Sequence, residues 1–294
     1  MRITNTMIGN GVQRHLAKNA ESVYRLQETI STGKRVNRPS DDPEATARIV
    51  EYRKALSSID QYNRNIGNAQ TELNLAESHL AEVVEQVTRA KELLLSQVTD
   101  TASSDTRKIA AEEIRQIRDA IVQLANAKNG DRYLFGGTES SKPPYDPSSD
   151  APEFQGNDGE FSTMIAPGVT MTTNANGKMA FSRDVDTVKL LTDIMGALQN
   201  DDIQTVRDHL AAVDQAMNQA SDARADIGVK LGRLDTTSAY WDSVHVNLTQ
   251  SLSNVEDADM TEAIAQLNSW QTAYEASLAV SAKVFQQSLV DFLR

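Results

Sequence analysis

Histidine is the residue type best suited to acid-base catalysis or metal binding near neutral pH, and this sequence contains four histidines. They are His15, His79, His209 and His245, and none has another histidine or a carboxylate at metal-binding spacing. The chain also lacks the GxSxG, HExxH, P-loop and Rossmann glycine motifs. We therefore expect each histidine to be a surface or core residue, and we predict a non-enzymatic protein with no cofactor and no bound metal.

Carboxylates are the second group of residues that could do chemistry. The pairs Asp41-Asp42 and Asp201-Asp202 precede predicted helices, where the positive end of the helix dipole favours negative charge without any catalytic role. A calcium site could use five further carboxylates, but no twelve-residue run matches the EF-hand spacing, so we interpret them as solvated loop residues. These five are Asp131, Asp146, Asp150, Asp158 and Glu160.

The composition argues against several classes of protein. A formal net charge of -12 and a pI near 4.8 disfavour a nucleic-acid partner, because phosphate would be repelled. The chain has no cysteine, so it can form neither a disulfide bond nor a thiolate metal site. No stretch approaches the roughly 18 consecutive apolar residues of a membrane span, and the first residues lack the apolar segment of a secretory signal. We therefore expect no membrane span and no Sec-type export.

A heptad repeat is the clearest structural signal in the sequence. Seven consecutive heptads have an apolar first position, and the position three residues later is mostly small, which predicts a long helix close to a neighbour. Such a helix would be roughly 70 Å long. The first positions are Tyr52, Ile59, Ile66, Leu73, Leu80, Val87 and Leu94, and the later positions are Ala55, Tyr62, Ala69, Ala76, Val83, Ala90 and Gln97.

A second heptad series in the C-terminal half predicts a helix of similar length. A shorter helix over residues 107–128 lies between the two series, and a turn near residues 99–105 makes a hairpin with the first long helix. We expect the two long helices to run antiparallel, with the shorter helix packed along them. The second series is Val206, Val213, Ala220, Ile227, Leu234, Trp241, Leu248 and Val255.

The segment from residue 131 to residue 184 differs from the rest, because it contains five of the seven prolines and loses the helical period. Candidate strands over 160–166 and 169–173 are joined by Pro167-Gly168, which predicts a β-hairpin. Asn176-Gly177 predicts a second turn. We expect a small β-rich module inserted into the helical body.

Residues 31–43 break the helical pattern near the N-terminus. Gly33 provides a helix stop, and Pro39 prevents simple continuation of the helix. Ser40 and Asp41 are the candidate N-caps of the helix that follows. The segment is therefore predicted to connect a short helical arm to the first long helix.

Both ends of the chain carry apolar residues at helical spacing that need cover. The arm and the helix after residue 260 are the only two such segments left without a partner, so we predict that they pair and that their outer sides contact other subunits. Asn19 occupies a seam position, where one polar residue can fix the register. The predicted interface residues are Val12, Leu16, Asn19, Val23, Leu26, Ile30, Ile264, Leu267, Tyr274, Leu278, Phe285, Leu289 and Phe292.

These predictions combine into a mainly α fold with long antiparallel coiled-coil or bundle rods, formed by the N- and C-terminal halves, and a small β-rich inserted module. We predict three domains. A terminal helical domain comprises residues 1–40 with 256–294, a rod domain comprises residues 41–130 with 185–255, and an outer module comprises residues 131–184.

Several segments resemble the flagellin superfamily, over about residues 1–140 and 185–294. At the C-terminal end the resemblance rests on residues 224–228 and 285–289. The opening Met1-Arg2-Ile3, residues 129–137 and Pro144-Tyr145 are similar to the branch that joins the flagellar hook to the filament. At the N-terminal end the residues that match the superfamily signature are Arg25, Leu26, Gly33, Arg35, Asn37, Ser40, Asp41 and Asp42.

The resemblance implies a structural subunit of the bacterial flagellum, exported through the flagellar type III apparatus with a cytoplasmic chaperone. It implies a homo-oligomeric ring outside the cell, with the first junction protein, FlgK, beneath it and flagellin above it. The terminal helices would form the axial core, the rods the next shell, and the β-rich module the outside.

Other functions stay open at this point. Flagellin, the filament subunit, belongs to the same superfamily, and a secreted coiled-coil adhesin or needle-tip protein could show similar heptads. An enzyme within residues 131–184 is a further alternative, although about fifty residues are few for a catalytic domain.

Overall fold

The computed structural model describes residues 5–99 and 103–292, and its description of residues 5, 6, 8 and 284–292 is limited to the backbone. Over this part of the chain the fold is mainly α with two small antiparallel sheets, as the sequence predicts. The elements are α1 Asn5–Thr32, α2 Pro43–Gln97, α3 Ser104–Ala125, β1 Lys128–Asn129, β2 Arg132–Tyr133, β3 Ser162–Ala166, β4 Val169–Thr172, α4 Gly177–Phe181, α5 Thr187–Gln199, α6 Ile203–Glu256 and α7 Met260–Phe292.

The chain divides into two compact units. The first, here called the terminal unit, contains Met1–Ser58 and Ser243–Arg294, and the second, the central unit, contains Ile59–Asp242. Each unit therefore has its own set of contacts, and each is described separately below.

The heptad residues of α2 and α6 form the core of the central unit. Their first positions are almost completely covered, because each apolar side chain packs between residues of neighbouring helices. This confirms the two heptad series within the unit. The buried first positions are Ile59, Ile66, Leu73, Leu80, Val87 and Leu94 on α2 and Val206, Val213, Ala220, Ile227, Leu234 and Trp241 on α6.

Polar contacts between α2 and α6 show the direction of the pair. The Gln70 side-chain amide donates to Asp235 at 2.7 Å, and farther along α2 the Lys91 ammonium lies 2.6 Å from Asp214. The partner on α6 moves backwards in sequence as the residue on α2 advances. The two helices are therefore antiparallel, as predicted.

The shorter helices α3 and α5 pack together in the central unit. Ile114, Ile117 and Ile121 on α3 are buried. Gln219 of α6 is fully buried; its side-chain oxygen accepts from the Asp184 N–H at 3.2 Å, and its nitrogen donates to the Val185 carbonyl at 2.8 Å. These hydrogen bonds fix the backbone just before α5, because a buried polar side chain must be paired with nearby donors and acceptors.

The predicted hairpin is confirmed as β3 and β4, which pair antiparallel with Thr163 opposite Met171. Gly168 has a φ of +70° in the connecting turn, a conformation that other residues rarely adopt. The indole N–H of Trp241 donates to the Ile165 carbonyl at 2.8 Å. A heptad residue of α6 therefore anchors the hairpin to the helices.

Four aromatic residues form a small second core in the inserted module. Phe135 and Phe181 make an edge-to-face contact with centroids 5.3 Å apart, and Tyr145 contacts Phe154 at 5.5 Å. The predicted turn at Asn176 is the cap of the short helix α4, because its side chain accepts the Met179 N–H. Much of the inserted module is thus irregular chain held by this cluster.

In the terminal unit, α1 ends at Thr32, and Gly33 follows with a φ of +71°, as the predicted stop requires. The predicted caps of α2 are wrong by one or two residues. Asp42 caps the helix, since its carboxylate accepts the Ala45 N–H at 2.9 Å. Asp41 instead accepts the N–H groups of the connector, and the Ser40 side chain is exposed.

A compact apolar cluster lies where the connector meets the long helices of the terminal unit. Val36 of the connector packs with Ala45 and Ile49 of α2 and with Leu252 and Val255 of α6. The cluster fixes the connector because burial of these side chains stabilises one arrangement of the three segments.

Candidate assembly surface

The four histidines are spread over three helices. His15 is an exposed residue of α1, His79 lies half-buried on α2, and His209 and His245 lie half-buried on α6. Within residues 5–99 and 103–292, no three histidine, aspartate or glutamate side chains converge as a metal-binding group. The four histidines therefore do not converge on one site in the described part of the chain.

The pair Asp201-Asp202 has two separate structural roles. Asp202 caps α6, and hydrogen bonds from the Thr205 hydroxyl and then the Thr205 N–H lower the pKa of its carboxyl. Asp201 has a φ of +60° and pairs with the buried Arg107 guanidinium of α3. The helix dipole thus accounts for the position of Asp202, whereas Asp201 neutralises the buried charge of Arg107.

The carboxylates of the inserted module also serve local structure. Asp146 accepts hydrogen bonds from the Ser148 hydroxyl and N–H, which lower the pKa of its carboxyl. Glu160 accepts from the Thr172 hydroxyl at 2.9 Å, across the hairpin. Asp146 and Glu160, which were predicted to be solvated loop residues, therefore also have structural roles within the module.

The signature residues of the connector form a network of short contacts. The Arg35 guanidinium lies 3.2 Å from Asp42 and also donates to the Val255 carbonyl at 3.0 Å. Hydrogen bonds from the Ala45 N–H and then from Arg35 lower the pKa of the Asp42 carboxyl. Asn37 donates to the Lys34 carbonyl at 3.0 Å. These residues thus hold the turn between α1 and α2.

Glu256, at the end of α6, is a buried carboxylate that pairs with two partly exposed cations, an ion cluster that the sequence alone did not reveal. Its side chain is almost fully buried and contacts both the Lys34 ammonium and the Arg53 guanidinium. The only sequence signal was its place directly after Val255, the last residue of the heptad series. That signal is weak, because its two cationic partners come from the opposite end of the chain.

The helices α1 and α7 pack against each other in the terminal unit. The predicted residues of α1 are half-buried, and the Asn19 amide donates to the Ser277 hydroxyl at 2.8 Å. On α7, Leu267 and Tyr274 are half-buried and Ala263 is buried. The predicted pairing of the two ends is therefore present in the chain.

The outer side of α7 remains uncovered. Met260, Ile264 and Leu278 share one helical face because they are separated by four and fourteen residues, and Ile264 and Leu278 are 48% and 43% exposed. Trp270 and Val280 are also exposed. The single stripe predicted from the sequence is thus divided between a covered seam and an open apolar face. Phe285, Leu289 and Phe292 were also predicted to lie in the interface. The structure describes their backbone within α7 but not their side chains.

Two family models match the sequence. The model of the bacterial flagellin N-terminal helical region matches residues 3–140, and that of the bacterial flagellin C-terminal helical region matches residues 210–293. Together they account for most of the chain, including α1, most of α6 and all of α7.

Curated relatives match over nearly their full length. Flagellar hook-associated protein 3 of Escherichia coli strain K12 is 25% identical over 302 residues, covering 94% of this chain and 95% of that protein. Flagellin of Bacillus subtilis strain 168 is 24% identical over 304 residues, covering 98% and 97%. The crystal structure of Xanthomonas campestris FlgL has the same fold, with a TM-score of 0.62 at 20% identity, covering 68% of this chain and 99% of that chain.

The described part of the chain is built from long paired helices with an exposed apolar face on α7, and the chain belongs to the flagellin superfamily. The likeness to hook-associated protein 3 over nearly the whole length indicates the FlgL branch of that superfamily. It is a structural protein of the flagellum and not an enzyme. Across residues 5–99 and 103–292, none of the helices has the length and apolar content needed to cross a membrane.

Proposed function

We propose that this protein forms the ring of subunits that joins the flagellar hook to the flagellin filament. The open apolar face of α7 carries the proposal. Met260, Ile264 and Leu278 expose apolar surface to water, and contact with neighbouring subunits would bury that surface. The hook-associated relatives support the placement at the junction.

The proposed partners follow from that position. A FlgK-type junction protein lies beneath the ring and flagellin lies above it, and copies of this chain contact one another within it. The subunit reaches this extracellular site through the type III export apparatus with a cytoplasmic chaperone.

The proposed domain roles place α1 and α7, within residues 1–40 and 256–294, in the axial core. Residues 41–130 with 185–255 form the rod shell, and residues 131–184 lie on the outside. The helices α1 and α7 cover each other along one side only. The predicted interface residues contact neighbouring subunits with the part of their surface that this packing leaves exposed.

Electron microscopy of hook tips tests the function. A strain without the gene should shed flagellin and carry bare hooks, and expression of this chain should restore attached filaments. Filaments that attach normally without the protein would contradict the proposal.

A double variant tests the proposed surface. Ile264→Asp with Leu278→Asp should keep the helical content but abolish filament attachment, because two charges would be desolvated in the subunit contact. The matched control is Val229→Asp, which changes a 74% exposed valine on α6 in the central unit and should leave attachment intact. Normal attachment with the double variant would argue against the α7 face.

The second candidate function is that of a filament subunit. Flagellin of Bacillus subtilis matches the chain at 24% identity, almost the same as the 25% of hook-associated protein 3. Purified protein added to filament seeds distinguishes the two. Long filaments grown from this chain alone would favour the flagellin function and exclude the junction function.

A further inference from the structure

The turn of the β1–β2 hairpin begins with the dipeptide Asn129-Gly130, which is chemically reactive where it is exposed. The backbone nitrogen that follows an asparagine can attack the side-chain amide carbon, and glycine hinders this attack least because it has no Cβ atom. The chain contains three such dipeptides, at Asn10-Gly11, Asn129-Gly130 and Asn176-Gly177. Their reactivity in the folded chain therefore depends on the structure around each of them.

Asn129 and Gly130 are both exposed and are held by few contacts. Asn129 ends β1, a strand of only 2 residues, and Gly130 follows in the turn with a φ of +61°. Within the described part of the chain, neither the Asn129 side chain nor the Gly130 N–H makes a hydrogen bond, and a Cβ atom at Gly130 would meet nothing within 4 Å. The amide carbon and the attacking nitrogen are thus free to approach each other.

Asn176-Gly177 has the same two residue types in a closed environment. The Asn176 side-chain oxygen accepts the Met179 N–H at 3.0 Å, as the cap of α4. Gly177 is buried against the Phe135 carbonyl. The cap and the packing must open before the amide can react, and the reaction rate falls with the population of that open state.

We propose that Asn129 is a site of spontaneous deamidation in the folded protein. The Gly130 nitrogen attacks Cγ of Asn129, so that an N–Cγ bond forms and the Cγ–Nδ2 bond breaks. The displaced amide nitrogen leaves as ammonia, with the proton of the Gly130 N–H. Water then opens the cyclic imide at either carbonyl carbon, which gives aspartate or isoaspartate. The reaction is independent of the junction function, because every group that takes part belongs to the chain itself or to water.

The two products have different effects on the β1–β2 hairpin. Asn129 pairs with Arg132 across the hairpin, so aspartate places a carboxylate opposite a guanidinium, and such a cross-strand pair is favourable. The same guanidinium already lies 4.3 Å from the centre of the Phe161 ring. Isoaspartate instead adds an atom to the backbone, so β1 cannot keep the register of that pairing. Deamidation thus adds a negative charge at the hairpin and, as isoaspartate, disrupts it.

Peptide mapping by mass spectrometry of the full chain, aged at neutral and at mildly alkaline pH, tests the site. Asn129 should convert at least about tenfold faster than Asn176, which corresponds to an opening free energy of about 1.4 kcal/mol at Asn176. The rate should rise with pH, because the attacking nitrogen must lose its proton. Fragmentation assigns each change to one asparagine, so Asn10 is followed separately and does not enter the comparison.

Ageing in urea is the matched control. Unfolding removes the cap and the packing of Asn176-Gly177, so the two dipeptides should then react at similar rates. Asn129→Gln keeps an amide but moves it one carbon farther from the backbone, and its peptide should keep a constant mass. Equal rates at Asn129 and Asn176 in the folded chain, or conversion of Asn129 only after unfolding, would overturn the inference. Aspartate without isoaspartate at position 129 would exclude the imide and overturn it as well.

Discussion

Leu80 shows how much depends on single residues in the heptad core. It is fully buried in the first position of its heptad on α2, so its side chain has no route to solvent. Leu80→Asp should lower the free energy of unfolding by about 3–5 kcal/mol, because a charge would be buried without a partner. Urea unfolding measures the change.

The control for Leu80 is Leu95→Asp, since Leu95 lies on the same helix but is 50% exposed. That change should alter the free energy of unfolding by less than about 0.5 kcal/mol. Equal destabilisation by both variants would contradict the burial pattern of α2.

Gly177 at the start of α4 is a second residue with little freedom to change. A Cβ atom there would lie 2.0 Å from the Phe135 carbonyl oxygen, so alanine must displace backbone. Gly177→Ala should destabilise the protein by about 2–3 kcal/mol. In contrast, Gly67→Ala within α2, where a Cβ meets nothing within 4 Å, should stabilise it by about 0.5–1 kcal/mol. Thermal unfolding of both variants checks the opposite signs.

At the scale of elements, Tyr145 joins the aromatic cluster to the cap of α5. Its hydroxyl donates to Asp186 at 3.2 Å, and the same carboxylate accepts the Val188 and Lys189 N–H groups. The Asn126 amide holds the Tyr145 backbone through two further hydrogen bonds. The inserted module is therefore tied to α3 and α5 by side-chain contacts more than by its short strands.

Burial, and then the nearby Asp186 charge, raises the pKa of Tyr145 well above its ordinary value. A raised pKa means that the stabilisation is complete below the unfolded pKa of about 10 and is lost as pH rises toward the folded pKa. Tyr145→Phe should cost about 1 kcal/mol near neutral pH and should reduce the loss of stability above about pH 10.

The free energy of unfolding at several pH values between neutral and strongly alkaline conditions measures both effects of Tyr145→Phe. Tyr24→Phe is the control, because Tyr24 on α1 is 71% exposed. It should keep the parent's pH dependence. A Tyr145→Phe variant with the same alkaline loss as the parent would show that another group causes it.

At the scale of the whole molecule, the C-terminal segment is proposed to act only in assembly. Deletion of residues 257–294 should leave the central unit folded, because the heptad core of that unit lies within Ile59–Asp242. Incorporation at the hook tip should be lost, since α1 would lack its partner. Circular dichroism and hook-tip microscopy measure the two outcomes, and normal filament attachment would contradict the prediction.

The sequence by itself predicted the long helices, their antiparallel arrangement and the hairpin. These features follow from local rules: the heptad period, the Gly33 stop and the Pro167-Gly168 turn are each written within a few residues. It also indicated the superfamily, because the matching segments lie near both ends of the chain.

Helix packing in three dimensions determines which residues of α7 are covered. Leu267 and Ile264 are equivalent in a sequence pattern, but the rotation of α7 against α1 half-buries the first and exposes the second. The Glu256 cluster was likewise beyond the sequence, because its members come from distant parts of the chain. Both depend on how separate segments meet in space, and the periodicity of one segment does not contain that information.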